Sequence, residues 1–230
     1  MARKNKLRKF AEVLSFPNVY ECYNFEQPQL IAAGMVPVQL RGQWNTEHFK
    51  QDRPVTLELA CGGGEYTVGL ARQYPERHFI GVDIKGNRLW KGAKQAIEEG
   101  LHNAAFLRTR IEIIAEFFAP GEVDEIWITF ADPFPRPSKE NRRLTSSFFL
   151  QQYRKILKPG GLVHVKHDDP DFYQFTLDTV AADPKCELLY HNDDIYSGPL
   201  ETPELAMKTL YEEMHLAKGK RIKYVRYRLW

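Results

Sequence analysis

Several features that would narrow the function of this chain are scarce. The 230 residues include only three cysteines, Cys22, Cys61 and Cys186, which are far apart and odd in number. This pattern argues against a disulfide framework and a zinc site, and indicates a reducing compartment. No apolar run approaches the roughly 20 residues of a membrane span, and no apolar segment follows the basic N-terminus as in a secretory signal. We therefore predict a cytoplasmic protein with no metal and no membrane association.

Charge is nearly balanced as well. The formal net charge is only +2, so no strong overall field is implied, but the cations are concentrated in residues 3–9, 136–143 and 218–228. If these three clusters converge in space, they form a positive surface suited to nucleic acid. Each cluster is equally compatible with an ordinary solvated patch, and the sequence does not decide between the two.

What the chain does contain is a regular alternation of short apolar runs and helical stretches from residue 55 onward. This alternation predicts a mostly parallel sheet with helices on both faces. Near the C-terminus, residues 204–218 predict a helix, and the strands predicted on either side of it can pair as an antiparallel edge. Residues 1–50 show little periodicity, and we predict a basic, irregular N-terminal arm there, followed by one domain over residues 51–230.

A glycine turn at residues 60–64 connects the first strand of this domain to a helix. Glycine there lets the backbone approach a ligand closely, but Gly62, Gly64 and Gly69 do not have the spacing of a dinucleotide-binding fingerprint. The second strand ends at Asp83, a carboxylate that can accept both hydroxyl groups of a ribose. With a proline–glycine turn before the fifth strand, the pattern favours S-adenosylmethionine (SAM) over a nicotinamide cofactor.

The most informative stretch is the proline turn at residues 131–136. A predicted buried strand ends there at Asp132, and Pro133 and Pro135 stiffen the chain that follows. Ligands bind at the carboxyl edge of parallel strands. Asp132, Phe134 and the basic residues that follow therefore predict a base pocket beside a phosphate-binding surface. The simpler alternative is a proline-rich turn before a solvated basic helix.

These motifs together resemble one family closely, the bacterial tRNA (guanine-N7)-methyltransferases, over residues 55 to 230. The resemblance implies an α/β fold, the Rossmann-like fold of class I SAM-dependent methyltransferases. This fold has a mostly parallel seven-stranded sheet, an antiparallel C-terminal edge strand and helices on both faces. The implied reaction is methyl transfer from SAM to N7 of a guanine in tRNA, with guanine 46 of the variable loop as the family's substrate. SAM and tRNA are thus the expected cofactor and partner, and both a monomer and a homodimer stay open.

The family's site residues can be carried over to the matching positions of this chain. The resemblance implies that Asp132 is catalytic and lies at the junction of SAM and guanine. The implied cofactor-binding residues are Glu58, Ala60, Gly62, Gly64, Asp83, Ile84, Arg110 and Asp132. The implied substrate-binding residues are Arg136, Asp168, Thr209, Leu210, Tyr211 and Glu212.

The sequence departs from the family's usual pattern in several places. Ala60 replaces a glycine, Ala131 replaces a proline, and Asp83 stands where many members carry glutamate. His167 replaces a small polar residue, and we expect a partly buried, hydrogen-bonded side chain rather than a catalytic one.

The adenine side of the implied cofactor site is the least conventional part. Arg110 falls where an aspartate would normally approach the adenine of SAM. We expect Thr109, Arg110 or Glu112 to supply that contact in a different way.

Methylation at guanine N7 requires few catalytic groups from a protein. N7 carries an in-plane lone pair and no proton, so attack on the SAM methyl group needs no prior deprotonation. Alignment of the reacting atoms at about 3–3.5 Å and a carboxylate near the shifting charge are sufficient, and Asp132 suits that role. Glu212 is suited to accept hydrogen bonds from the Watson–Crick edge of guanine. Phe134 can either stack on the base or close the core at the sheet edge.

Other functions remain open on the sequence alone. Residues 132–134 are similar to the Asp/Asn-Pro-Pro-aromatic turn with which other methyltransferases hold an exocyclic amine. A SAM-fold RNA-binding subunit without activity is a second alternative, and an NAD-linked oxidoreductase is a more distant one. The joint presence of Glu58, Gly62, Gly64, Asp83 and Asp132 favours an active SAM-dependent enzyme.

Overall fold

The computed structural model describes residues 2–230, with side chains described from residue 7 onward. Its α-helices are α1 (Ala2–Val13), α2 (Glu65–Gln73), α3 (Gly86–Glu98), α4 (Ser147–Arg154), α5 (Pro170–Ala182) and α6 (Leu210–Leu216). Its strands are β1 (Val19–Glu21), β2 (Leu30–Ala32), β3 (Val36–Val38), β4 (Val55–Leu59), β5 (His78–Asp83), β6 (Ala104–Arg108), β7 (Val123–Thr129), β8 (Leu157–His167), β9 (Cys186–Asn192) and β10 (Lys223–Leu229).

All of these strands belong to one sheet, in the order β3-β2-β1-β6-β5-β4-β7-β8-β10-β9. The five central strands β4 to β8 run parallel to one another, as the alternation of strands and helices predicted. Strand β10 runs antiparallel to both of its neighbours, β8 and β9. The outermost strand on this side is therefore β9, and the last strand of the chain lies inside the sheet rather than at its edge.

The sheet has ten strands, so the prediction of seven was wrong in number. Strands β4 to β10 correspond to the seven expected ones, and β1, β2 and β3 are added by the N-terminal arm. Strand β1 pairs in parallel with β6, which places Glu21 opposite Arg108. The expected irregular arm thus contains regular structure that continues the sheet. The division of the chain at residue 50 stays a prediction.

Strand β3 forms the other edge of the sheet. It pairs only with β2 and carries a proline, Pro37, at its centre. Proline has no N–H to donate, so within sheets it is tolerated mainly on edge strands. Its neighbour Val36 is exposed.

Helix α1 packs against helix α3 through a tryptophan. The indole Nε1 of Trp90 donates a hydrogen bond of 2.6 Å to Glu12, and the Lys9 ammonium lies 4.4 Å from the centre of the indole ring. Part of the positive charge of the N-terminal arm is therefore used in packing against the domain.

Alternate residues of the central strands enter separate hydrophobic clusters, as expected for strands covered on both faces. In β7, Ile126 and Ile128 belong to one buried cluster and Trp127 to the other. The strands β4 and β5 are buried along their whole length. Within residues 2–230, none of the helices combines the length and apolar character needed to cross a membrane.

The helix predicted over residues 204–218 is divided in two. A 3₁₀ turn covers Pro203–Ala206, and α6 begins only after Thr209. Thr209 is the N-cap residue, because its hydroxyl oxygen accepts a hydrogen bond of 3.2 Å from the backbone N–H of Glu212. After this break, Thr209 and Tyr211 lie near residues that follow the parallel strands, such as Asp132 and Asp168.

Candidate active site

A cleft runs along the carboxyl ends of β4, β5, β7 and β8. It consists of a larger cavity of about 670 Å³ and a smaller one of about 260 Å³. The residues that line both cavities are Ala60, Asp83, Ile84, Asp132, Phe134 and Arg142. Asp132 thus lies at the boundary between the two cavities.

The structure brings most of the predicted site residues into this cleft. The larger cavity is lined by Ala60, Gly62, Asp83, Ile84, Asp132, Asp168, Thr209 and Tyr211. Arg110 lines the smaller cavity. The predicted residues that line neither cavity are Glu58, Gly64, Arg136, Leu210 and Glu212.

The glycine turn is shaped by three residues with positive φ angles, Ala60 (59°), Gly62 (57°) and Gly64 (73°). Gly64 precedes the first residue of α2, and a Cβ atom there would lie only 2.6 Å from the ring of Phe106. Glycine at this position is therefore required by conformation and by packing rather than by contact with the cleft.

Glu58 lies beneath the turn and is almost completely buried. Its carboxylate accepts hydrogen bonds from the backbone N–H of Thr67 (2.8 Å) and from the hydroxyls of Thr67 (2.5 Å) and Thr129 (2.8 Å). Burial raises the pKa of Glu58 to about 7, although these hydrogen bonds act in the opposite direction. Glu58 thus connects β4, α2 and the end of β7, and supports the cleft from below.

Asp83 is buried at the end of β5 and faces the glycine turn. One carboxylate oxygen accepts a 3.0 Å hydrogen bond from the backbone N–H of Gly62, and the other accepts one of 2.7 Å from that of Lys85. Burial raises the pKa of this carboxyl group, and the two backbone N–H groups partly offset that effect. Because a carboxylate has about four acceptor positions, Asp83 retains capacity for hydroxyl groups of a ligand.

The proline turn is held from outside by an arginine. The buried Arg143 donates a 2.9 Å hydrogen bond from Nε to the carbonyl of Pro133, and a longer one of 3.4 Å to that of Phe134. Its guanidinium also lies 4.5 Å from the ring centre of Phe175. The sequence placed Arg143 in a basic cluster that was either a phosphate-binding surface or a solvated patch, and its burial against the proline turn fits neither interpretation.

Asp132 itself is exposed to solvent on this turn. Its carboxylate accepts a 3.1 Å hydrogen bond from the backbone N–H of Phe134, which closes a local Asx turn. Among the described side chains, no cation forms an ion pair with Asp132. Phe130 and Phe134 both have positive φ angles, 50° and 42°, which residues other than glycine rarely adopt.

His167 is buried beside the proline turn, as expected for a structural histidine. Its Nε2 lies 2.7 Å from the carbonyl oxygen of Ala131, and its Nδ1 accepts a hydrogen bond of 2.9 Å from the backbone N–H of Asp169. These partners assign the proton to Nε2. Burial lowers the pKa of His167, so the neutral ring is the relevant form.

Asp168 contacts Lys220 and His215 on one side of the larger cavity. Lys220 donates a hydrogen bond to one carboxylate oxygen, and Nδ1 of His215 lies 2.7 Å from the other. Burial by itself raises the pKa of Asp168, but the hydrogen bond from Lys220 and the charge of that ammonium group act in the opposite direction, and the pKa is lowered. The sequence placed Lys220 in the C-terminal basic cluster, but it identified neither Lys220 nor His215 as a partner of Asp168, because both lie far along the chain from it.

Glu212 is completely buried and forms an ion pair with Lys166, which is also completely buried. The Oε1 atom of Glu212 lies 2.8 Å from the Lys166 ammonium and accepts a 2.6 Å hydrogen bond from Tyr196. Lys166 further donates to the carbonyls of Leu205 and Met207, each at 2.9 Å. Only Oε2 of Glu212 is left without a hydrogen-bond partner.

The smaller cavity has its own polar wall. It is lined by Thr109, Arg110, Ile111 and Glu112, which follow directly on strand β6. Thr109 is completely buried, and its hydroxyl has no hydrogen-bond partner in the structure. An unpaired buried hydroxyl beside a cavity fits a ligand with a polar edge, such as the adenine of SAM.

Comparison with known proteins identifies the family. A family model described as "Putative methyltransferase" matches residues 52–225. A tRNA (guanine-N(7)-)-methyltransferase of Bacteroides thetaiotaomicron is 46% identical over 226 residues, which cover 98% of this chain and 86% of the relative. A protein of the same name from Christiangramia forsetii is 44% identical, and all of both chains is covered. The chain belongs to the tRNA (guanine-N7)-methyltransferase family.

Solved structures similar to this member of the family support the fold. The 16S rRNA methyltransferase KamB aligns with a TM-score of 0.59 at 16% identity, covering 85% of this chain and 97% of KamB. The aminoglycoside resistance methyltransferase NpmB1 aligns with a TM-score of 0.55 at 19% identity, covering 86% and 97%. The predicted class I methyltransferase fold is therefore confirmed, with three additional strands.

The family's usual glycine before the cysteine explains one strained position. Ala60 occupies that place with a φ angle of 59°, a conformation that glycine adopts without a steric penalty. Alanine at this position therefore carries a local conformational cost.

Proposed function

We propose that this protein transfers a methyl group from SAM to N7 of a guanine in tRNA, giving 7-methylguanosine, and that the target is guanine 46 of the variable loop. The observation that carries this proposal is the position of Asp132. It lines both cavities of the cleft on a turn braced by Arg143. A methyl transfer requires two ligands that meet end to end, and the adjoining cavities offer room for both, with the carboxylates of Asp83 and Asp132 lining each cavity.

The residues on the β4–β5 side fit SAM. The glycine turn leaves room for the backbone to approach a ligand, and Asp83 retains acceptor capacity for the ribose hydroxyls. The free hydroxyl of Thr109 lies at the cavity that would receive the adenine. When bound, SAM supplies a methyl group on a positively charged sulfur. That no metal takes part remains our prediction.

Asp132 acts in this proposal as an electrostatic positioner. Guanine N7 has no proton to lose, so no general base is needed. An exposed carboxylate fixed by its own turn stabilises positive charge as it passes from the sulfur to the base. The positive charge is not created in this step but moves from the sulfur to the base. A carboxylate nearer to the base than to the sulfur therefore contributes more in the transition state than in the bound ground state.

The target guanine would occupy the larger cavity beside Phe134, Thr209 and Tyr211. For Glu212 to read its Watson–Crick edge, the segment around Thr209 must shift so that Oε2 reaches the cavity, because Oε1 is already held by Lys166 and Tyr196. A free Oε2 beside a capped helix start is consistent with such a shift.

Cations at the cleft suit an RNA ligand. Those that line the larger cavity are Lys85, Arg88, Arg142 and Lys220. The guanidinium of Arg142 also lies 4.7 Å from the centre of the Phe134 ring. Phosphate contacts of this kind make affinity strongly dependent on salt. A cytoplasmic location, and the choice between a monomer and a homodimer, stay predictions.

The proposal is tested by incubation with methyl-labelled SAM and an unmodified tRNA transcript, followed by nucleoside analysis. We expect label in 7-methylguanosine, and none in a matched transcript that carries adenine at position 46. Label in another methylated guanosine or in adenosine would contradict the N7 assignment. SAM binding without any transfer would instead support a non-catalytic RNA-binding role.

A further inference from the structure

The N-terminal arm reaches the cofactor side of the cleft. Its strand β1 lies beside β6, and β6 ends at Arg108, immediately before Thr109 and Arg110. Those two residues belong to the polar wall of the smaller cavity. The backbone N–H of Cys22 also donates a hydrogen bond of 2.9 Å to the carbonyl of Arg108. The arm is therefore hydrogen-bonded to the strand that presents this wall.

A buried glutamate in β1 holds Arg108. The carboxylate of Glu21 is only 4% exposed, and its Oε1 lies 3.6 Å from a guanidinium nitrogen of Arg108. Tyr23 donates a hydrogen bond to Glu21, and its ring centre lies 5.7 Å from the same guanidinium. A buried carboxylate needs such partners, because an unpaired charge in the interior is strongly unfavourable.

Arg108 in turn contacts the segment that carries Asp83. Its Nε donates a hydrogen bond of 3.3 Å to the carbonyl of Ile84, and Ile84 lines both cavities. Asp83 is the residue before it and the proposed ribose ligand. Glu21 therefore acts through Arg108 on the backbone next to Asp83, whose carboxylate is the proposed ligand of the ribose hydroxyls.

A second contact from the arm holds Arg110. The guanidinium of Arg110 lies 4.5 Å from the ring centre of Phe25. Arg110 is exposed and lines the smaller cavity, so without this ring its long side chain would sample many rotamers. Phe25 is half-buried against the main hydrophobic cluster and forms a fixed platform for the guanidinium plane.

We propose that Glu21 and Phe25 are positioning residues of the cofactor site. They act through Arg108 and Arg110 to fix its ribose and adenine sides. This inference rests on the proposed use of SAM. The N-terminal arm then contributes to cofactor binding. The affinity for the nucleoside moiety of SAM depends on Glu21 and Phe25, although neither residue contacts the ligand.

The test measures binding of S-adenosylhomocysteine to the full-length protein by titration calorimetry, which needs neither tRNA nor turnover. We expect Glu21→Gln and Phe25→Leu each to weaken binding about tenfold. Glu21→Gln removes the ion pair that fixes Arg108, and Phe25→Leu removes the ring that fixes the guanidinium of Arg110. Phe25→Tyr keeps the ring under Arg110 and should restore binding to within about twofold of wild type.

Tyr20→Phe is the matched control for stability. Tyr20 precedes Glu21 in the same strand, but its hydroxyl lies 2.7 Å from Nδ1 of His48, among residues that line neither cavity of the cleft. This variant should lower the melting temperature and leave the dissociation constant unchanged.

The outcomes separate this inference from the proposed function. If the wild type binds S-adenosylhomocysteine and Glu21→Gln and Phe25→Leu bind it as tightly, the inference is overturned and the proposed function is not. Equal weakening by Tyr20→Phe and Phe25→Leu would also overturn it, since binding would then follow stability alone. A wild-type protein that binds no S-adenosylhomocysteine would overturn the proposed function, and this inference with it.

Discussion

The glycine turn and the proline turn follow parallel strands at the same edge of the sheet, yet they are held in different ways. The glycine turn is fixed by its own backbone and by Asp83, which lies on the neighbouring strand. The proline turn is stiff within itself but depends on Arg143, which reaches it from beyond the next 3₁₀ segment. The glycine turn is thus held by a carboxylate that accepts from a backbone N–H, whereas the proline turn is held by a guanidinium that donates to backbone carbonyls.

Both turns contain residues in the left-handed region that are not glycine. Ala60 lies in the glycine turn, and Phe130 and Phe134 lie before and within the proline turn. Such positions cost about 1–3 kcal/mol each and persist only where the surroundings over-determine them. Three of them around one cleft agree with a site in which geometry is maintained at some expense of stability.

The largest effect should come from removing the charge at the proline turn. Asp132→Asn keeps the size of the side chain and its hydrogen bond from Phe134, but loses the carboxylate that faces the shifting charge. We expect turnover to fall by about 10²–10³-fold, with little change in the affinity for S-adenosylhomocysteine. Single-turnover rates and calorimetry measure the two quantities.

The control for this variant is Glu140→Gln, which neutralises an exposed carboxylate in the 3₁₀ segment after the turn. Its turnover should match that of the wild type. If the turnover of Asp132→Asn stays within about fivefold of the wild type, the loss is too small for electrostatic stabilisation by this carboxylate. The reaction would then take place elsewhere in the cleft.

An intermediate effect should come from loosening the proline turn. Arg143→Lys keeps the charge but loses the paired hydrogen bonds to Pro133 and Phe134 and the flat contact with Phe175. We expect kcat/KM for tRNA to fall by about 10- to 100-fold, because small misplacements of reacting groups have effects of this size. The KM for SAM should change little, since the glycine turn is untouched.

Salt dependence distinguishes this brace from a phosphate contact. The loss in Arg143→Lys should be equal at low and high salt, whereas Arg136→Ala, at an exposed position of the same basic cluster, should reduce the salt dependence of tRNA binding. If Arg143→Lys also reduced the salt dependence of tRNA binding, Arg143 would be mainly a phosphate ligand. Its hydrogen bonds to the proline turn would then be of secondary importance.

The smallest effect concerns the glycine turn. Ala60→Gly should raise the free energy of unfolding by about 0.5–1 kcal/mol. The steric strain of an alanine in the left-handed conformation is removed, and this gain exceeds the entropic cost of glycine. For a chain of this size that corresponds to an increase of about 2 °C in melting temperature. Ala131→Gly is the control of opposite sign, since Ala131 is buried and has no positive φ, and it should be destabilising.

The central fold could be predicted because its strands carry their own signal. Strands β4 to β8 are apolar runs separated by helices, and their covered faces require that pattern. The strands β1, β2 and β3 have three residues each, too few to show a period, and Val36-Pro37-Val38 contains a residue that argues against a strand. They exist because β6 offers a free side for pairing.

The site was predictable where function is tied to a strand end. Asp83 is the last residue of β5 and Asp132 lies shortly after the end of β7, and the sheet brings them together. The surroundings of Arg143 and Glu212 were not predictable, because a charge is buried only when a distant partner accepts it. For Glu212 that partner is Lys166, on another strand, and nothing near either residue in the sequence signals the pair. Its role in reading guanine stays a prediction.

The proline in β3 has a consequence for the behaviour of the protein at high concentration. An exposed apolar edge, here with Val36 and Met35 largely uncovered, is a template on which strands of other molecules can add. Pro37 removes a donor from the middle of that edge, so an incoming strand finds an incomplete ladder. This edge of the ten-stranded sheet is thereby a poorer template for the addition of further strands.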